Sequence, residues 1–471
     1  MTERRLRESI ATMMSEATGE AASGELSAAI GRSAMRKASL RILPLIALGY
    51  GTAYMDRANI SFAALQMNAD LHFSATAYGL GAGLFFLSYA ACEIPSNVMM
   101  HRYGARLWLA RIMVTWGVIA MAMALVRTPG QFYTVRFLLG MAEAGFFPGV
   151  IYYFMSWFPA EIRARAFSRF YISLPLSSVV MGALAGTLMG LDGHLGLRGW
   201  QWLFLVEGLP PIVLGVVFYF LLPSHPDEVA WLSVDEKRWI RERTMADADA
   251  HGSSTIGAAL RNPRVWEMGC FCFVMLMSSY AYTFTSPTIV QSVTGLSTTQ
   301  VGFVIAGLSV LAAAAMLLGG IVSDRRTAAE RRDGRLRRTD RFLHTLPWCL
   351  VVSTGFLMYG RGHAAAVVLC GLGLVMIGYN GMQGPLYAVP SLILRDPGGR
   401  GAAAGVAAIN MIGMLGGFVG PYWMGYMKDL TGNYHRGLVT MALPMLLGAG
   451  ILLWMRSRVA LQASAATSTG D

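Results

Sequence analysis

Twelve apolar runs of about 20 residues each constrain this 471-residue chain more than any other feature. A run of that length crosses about 30 Å of hydrocarbon at 1.5 Å per residue, and a lipid-exposed segment has to satisfy its own backbone hydrogen bonds. Only helices and closed barrels do so, and these runs are twice the length of a barrel strand. The expected fold class is therefore all-α integral membrane, with twelve transmembrane helices. In the first half they fall at about 42–66, 76–100, 107–127, 130–155, 166–190 and 201–222. In the second half they fall at about 264–289, 298–322, 342–360, 364–392, 403–427 and 437–455. Composition agrees, since 14% charged residues lie far below the roughly 25% of soluble domains.

A polar interval divides the runs six and six, which predicts two pseudo-symmetric six-helix bundles. The expected divisions are a cytosolic tail at 1–41, a first bundle at 42–222, a central linker at 223–263, a second bundle at 264–455 and a C-terminal tail at 456–471. The tail is read as solvated rather than as a signal peptide, because it lacks a compact apolar core and cleavage site. A net charge of +11 raises the possibility of nucleic acid, but topology accounts for it. With the N-terminus inside, 30 of the 38 Lys and Arg fall on inside segments, so both termini are expected in the cytosol.

A charge at mid-bilayer costs roughly 2.5–3.5 kcal/mol, so ionisable residues inside spans are the informative ones. Asp56 and Arg57 lie in the first span, Arg136 and Glu143 in the fourth; Glu93, Arg111 and Glu207 are read as closer to cytosolic ends. Helix rise places Asp56 about 15 Å and Glu143 about 18–20 Å from the outer end, near the midplane. Arg136 and Glu143, seven residues apart, share one helix face within about 20°. Asp56 and Glu143 thus read as proton-coupling sites, and Arg57 and Arg136 as groups that hold a substrate carboxylate. Burial makes a carboxylate harder to ionise and a nearby arginine makes it easier, so substrate occupying the arginine would let the acid take a proton. The competing reading is a structural ion-pair network locking the two helices.

The second half offers neutral polar groups, among them Asn380, Gln383 and Asn410, which could hydrogen-bond a substrate or glue helices together. Small-xxx-small spacings at Gly79/Gly83, Gly145/Gly149, Gly182/Gly186 and Gly416/Gly420 indicate close helix packing. The five cysteines imply neither a disulfide nor a zinc framework, and no cofactor or metal is expected.

These residues resemble the major facilitator superfamily and, within it, the anion:cation symporter family. The resemblance rests on Tyr54-Met55-Asp56-Arg57-Ala58-Asn59, on Arg136 through Gly149, and on Gly199-Trp200-Gln201-Trp202 through Gly208. It extends to the bacterial tartrate, sugar-acid and 4-hydroxyphenylacetate permeases. The resemblance implies proton sites at Asp56 and Glu143, and substrate binding or gating at Arg57 and Arg136 with Tyr54 beside them. The loop after the second span carries Arg102, Gly104 and Arg106, with His101 where the superfamily has an aspartate. Its second copy keeps Asp324 and Arg325. With Glu93, these are expected to serve gating or structure.

The expected function is proton-coupled uptake of a small organic anion across the bacterial inner membrane by alternating access. The substrate would be a sugar acid, a hydroxy-dicarboxylate or an aromatic carboxylate. Expected partners are this anion, protons and the lipid bilayer, with the chain acting as a monomer and without nucleic acid. Rival readings are a proton-driven antiporter or efflux carrier, and a membrane sensor that binds without transporting. Enzymatic activity is not expected, since no P-loop, His-Glu-x-x-His or Gly-x-Ser-x-Gly pattern is present.

Overall fold

The computed structural model describes residues 3–250, 256–332, 340–387 and 402–468; some side chains within these ranges, including those of residues 3–24 and Asp324, lie outside the description. All the regular structure among the described residues is helical. The first half comprises α1 (Glu3–Asp70), α2 (Ala75–Tyr103), α3 (Ala105–Ala122), α4 (Pro129–Glu143), α5 (Phe146–Trp157), α6 (Ala160–Tyr171), α7 (Ser173–Met189) and α8 (Gly199–Leu221). Two short helices, α9 (Val234–Ala250) and α10 (Ile256–Leu260), follow. The second half comprises α11 (Pro263–Thr294), α12 (Thr298–Arg332), α13 (Asp340–Arg361), α14 (Ala365–Tyr387), α15 (Ala402–Thr431), α16 (His435–Thr440) and α17 (Ala442–Ser468).

Eleven segments among the described residues are long and apolar enough to cross a membrane. The expected first span lies inside α1, and Asp56, Arg57 and Asn59 make that stretch less apolar than the others. Buried side chains form two clusters, one from Ala34 to Ile240 joined by Phe284 and Met414, the other from Ala259 to Met455. Each cluster is the interior of one helix bundle.

Three expectations change in detail. Residues before the first span do not form a solvated coil: α1 runs straight through them, and Ala34 and Ala38 are fully buried. Their cover is α9, whose Trp239 packs on Gly31 and whose Ile240 is itself fully buried. The fourth span is broken. Helix α4 ends at Glu143, Gly145 adopts a left-handed conformation at φ 87°, and α5 restarts at Phe146. A side chain at position 145 would collide with Ser96, so glycine is required there on two counts. The third change concerns Glu207. It lies eight residues, about 12 Å, along α8 from Gly199. The Gly199 end sits beside the last turn of α1, where Trp200 Nε1 donates to Asp70 at 3.1 Å. Glu207 is therefore in the half of the bundle far from the N-terminal tail, because α8 runs opposite to α1.

Two of the four glycine pairs form the seam between bundles. Gly79 and Gly83 of α2 meet backbone at Pro421 and Phe418 of α15, while Gly182 and Gly186 of α7 meet Gly302 and Thr299 of α12. Thr299 Oγ1 donates to Gly186 O at 2.9 Å. At the end of this seam Asp429 accepts from the amides of Ala75 and Thr76 at 3.1 and 2.7 Å, so α15 caps the N-terminus of α2. These contacts hold the bundles together toward the face opposite the tail. Gly416 and Gly420 instead pack on α11 within the second bundle, and Gly149 packs on Met100 and Leu109 within the first.

Candidate functional site

The four charges singled out in the first bundle come together at its centre. Arg57 Nε donates to Glu143 Oε1 at 2.8 Å, and an Arg57 Nη2 contact to the same oxygen completes an ion pair joining α1 to α4. Glu143 is fully buried and Arg57 is 9% exposed. Burial of such a pair is costly unless it is well bonded, and here the break after Glu143 brings the carboxylate to the end of a half-helix. Its second oxygen has no hydrogen-bond partner.

Arg136 behaves differently. It is 1% exposed, donates one weak bond to Ala82 O at 3.4 Å, and among the described residues makes no ion pair. The Phe85 ring packs against both arginines, 4.9 Å from the Arg136 guanidinium carbon and 5.6 Å from that of Arg57. Tyr89 packs on Arg57 at 5.1 Å. A ring face stabilises a cation without consuming its N–H donors, so Arg136 keeps its fork for another anion. Asp56, 2% exposed, accepts from Asn59 at 3.4 Å, and its other oxygen has no partner. Arg136 and Arg57 both lie within electrostatic range of it.

Tyr54 lies beside Arg57, Ser178 and Tyr280. The second bundle faces this cluster with aromatic rings: Phe86 of α2 meets Tyr280 at 4.1 Å, Tyr280 stacks on Phe284, and Tyr282 stacks on Tyr379. Gln383 is partly exposed with its amide oxygen unpartnered, while Asn380 donates to its own helix at Met376 O. Asn410 donates both to Glu93 Oε1 at 2.9 Å and Oε2 at 3.1 Å. This bond joins the bundles on the tail side of the site, so Asn410 and Glu93 form a cross-bundle contact rather than an open binding surface. Arg102 and Arg106 flank Gly104, whose φ of 83° makes the sharp turn from α2 into α3, and Arg106 packs over Tyr219. Arg325 is exposed on α12, and the Asp324 side chain lies outside the described residues.

The sequence reading passed over Phe85 and Tyr89, whose i, i+4 spacing on α2 was the available signal, and over Asn59, one turn beyond Asp56.

The sequence pattern of the Major Facilitator Superfamily matches residues 46–421. A putative tartrate transporter of Agrobacterium vitis is 42% identical over 428 residues, covering 90% of this chain and 95% of that protein. A quinolone resistance transporter of Acinetobacter baumannii is 37% identical, covering 88% and 93%. Among solved structures, an inward-facing bacterial homologue of the human lysosomal transporter Spinster superposes with a TM-score of 0.71 at 16% identity, covering 90% of this chain and 98% of that one. Fold, matched residues and relatives agree, and the chain belongs to the major facilitator superfamily.

Proposed function

We propose that this chain is a proton-coupled symporter that imports a small organic carboxylate across the bacterial inner membrane, with the N-terminal tail in the cytosol. The observation that carries this reading is the contrast between the two buried arginines. Arg57 is committed to Glu143, whereas Arg136 is desolvated, aromatic-backed and, among the described residues, hydrogen-bonded to no carboxylate. A planar fork in that state suits a substrate carboxylate taken up in two-pronged fashion. Substrate engaging Arg136 withdraws the cation from Asp56, and a proton then neutralises the stranded acid. Substrate and proton thus load together, and the site reorients as the α2–α15 and α7–α12 seams open on the far side and the bundles close on the tail side around the Glu93–Asn410 contact. The tartrate transporter relatives support a hydroxy-dicarboxylate or sugar acid as cargo.

A second reading, proton-driven export, draws on the aromatic wall of Phe86, Tyr280 and Phe284 and on the quinolone resistance relative. Proteoliposomes given a panel of labelled organic acids, with inward, outward or no proton gradient, separate the two. Symport predicts concentrative uptake of at least one hydroxy acid under the inward gradient alone. Accumulation under the outward gradient, or none for any acid, would overturn it.

A further inference from the structure

Glu207 is a buried acid that the cycle above leaves unused. It is 6% exposed, and neither carboxylate oxygen has a hydrogen-bond partner. Among the described residues, the polar groups within its electrostatic reach are Asn59 and Asp56, both on α1. From α3 the neighbouring stretch is Gly117 to Met121, which packs on Gly208 and carries no titratable group. Helix α7 has no ionisable residue along its length, and α8 itself adds only Tyr219, which is 46% exposed. Among the described residues, then, no cation balances Glu207.

The hydrogen-bond inventory points the same way. Asp56 Oδ2, Asn59 Oδ1 and both Glu207 oxygens are buried acceptors without donors, and the Asn59 amide donates to Asp56 Oδ1. Ionised carboxylates only accept, so adding charge cannot satisfy the group. One proton can: a neutral Glu207 O–H donates to Asn59 Oδ1 or Asp56 Oδ2 and removes the penalty of an unpaired buried carboxylate.

We propose that Glu207 and Asp56 share a proton that passes directly between their carboxyls, with Asn59 orienting the pair and Glu207 as the neutral acid while Arg136 is unoccupied. When substrate takes Arg136, the Glu207 O–H bond breaks as one forms on Asp56; the Glu207 carboxylate left behind is refilled by a proton from water on the far side. Glu207 is a relay that loads Asp56, about 12 Å in from that face. The transport role rests on the symport reading, but the protonation state does not.

Infrared difference spectra and uptake by reconstituted full-length protein test both parts. Wild type at neutral pH should show the C=O stretch of a neutral carboxylic acid that Glu207→Gln removes. In the same variant, counterflow exchange should persist while proton-driven accumulation falls about tenfold. Asn59→Ala, which keeps both carboxyls and removes the amide that orients them, should lower accumulation as well, and it carries the test if the glutamine variant fails to fold. An unchanged carboxyl band, or accumulation equal to wild type in both variants, overturns the proposal. Loss of the band in a protein whose wild type never accumulates substrate would instead sink symport and leave the neutral Glu207 standing.

Discussion

Among the described residues, six charged side chains lie buried within the membrane-spanning helices of the first bundle: Asp56, Arg57, Glu93, Arg136, Glu143 and Glu207. At comparable depth the second bundle presents Ser278, Thr285, Ser286 and Tyr379, with Asn380 and Gln383 partly exposed. Each buried charge costs about 2.5–3.5 kcal/mol in the membrane, so concentrating them in one bundle means that only one has to hold a preorganised electrostatic site. The second contributes neutral donors and aromatic faces, whose hydrogen bonds can be remade as the bundles rock. On the proposed reading, charge handling falls to one half and the shape of the substrate site to the other.

The sharpest way to break this contrast lies inside the first bundle. Glu143→Gln leaves Arg57 buried without its anion and should cost about 3–5 kcal/mol, seen as lower expression and melting temperature. Asp56→Asn has no ion pair to lose and should keep its melting temperature and counterflow while losing concentrative uptake. Equal stability of the two variants would contradict the assignment of Arg57 to Glu143. Persistent accumulation in both would remove the acids from coupling.

Next in size is Arg136→Lys. A lysine keeps the charge but not the planar fork, so substrate affinity should fall by about 10- to 100-fold in direct binding measurements, with folding intact. Affinity within twofold of wild type would take Arg136 out of the binding site.

How much of this was legible follows from what the residues had to do. The helices could be read because lipid enforces length and apolarity, and Asp56, Arg57, Arg136 and Glu143 could be read because charge in lipid is expensive. Pairing was not legible. Depth and face do not say which arginine takes Glu143, because that depends on the break at Gly145 and on the Phe85 ring packed against both guanidiniums. Glu207, expected near the cytosolic end, lies instead in the far half because α8 runs opposite to α1. The glycine pairs announced close packing but not its partner: Gly79/Gly83 and Gly182/Gly186 meet the other bundle, whereas Gly416/Gly420 meet α11 of their own. Asn410 was visible as a polar residue in a span, whereas its bond to Glu93 crosses 317 positions.

The neutral half gives a smaller test. Gln383 has an unpartnered amide oxygen, so Gln383→Leu should change affinity between related acids by about fivefold while proton-driven and counterflow rates keep their ratio. Altered coupling in that variant would show that the second bundle handles protons too.

The smallest effect is expected where the linker meets the first bundle. Ser233 and Glu236 cap α9 reciprocally, with Ser233 N donating to Glu236 Oε2 at 2.8 Å and Glu236 N to Ser233 Oγ at 3.2 Å. The same carboxylate accepts from Ser33 at 2.7 Å and from Lys37 at 2.9 and 2.8 Å, tying α9 to the extended end of α1. Burial works against ionisation of Glu236, but the Lys37 ammonium, the Ser233 amide and the Ser33 hydroxyl outweigh it and bring the carboxyl down from 4.5 to about 2. Its folded value is thus below its unfolded one, so its stabilisation is complete above the unfolded value and is lost as pH falls toward about 2. Lys37 is one-third exposed, which limits the pair to about 1 kcal/mol. Glu236→Gln should therefore lower the melting temperature by about 1–2 °C at neutral pH, with uptake unchanged. That gap should stay flat down to about pH 5 and close between there and about pH 2. A gap that widens in acid would show that the Lys37 pair is not its source; lost uptake would mean that the linker takes part in transport and is more than a brace on the charged bundle.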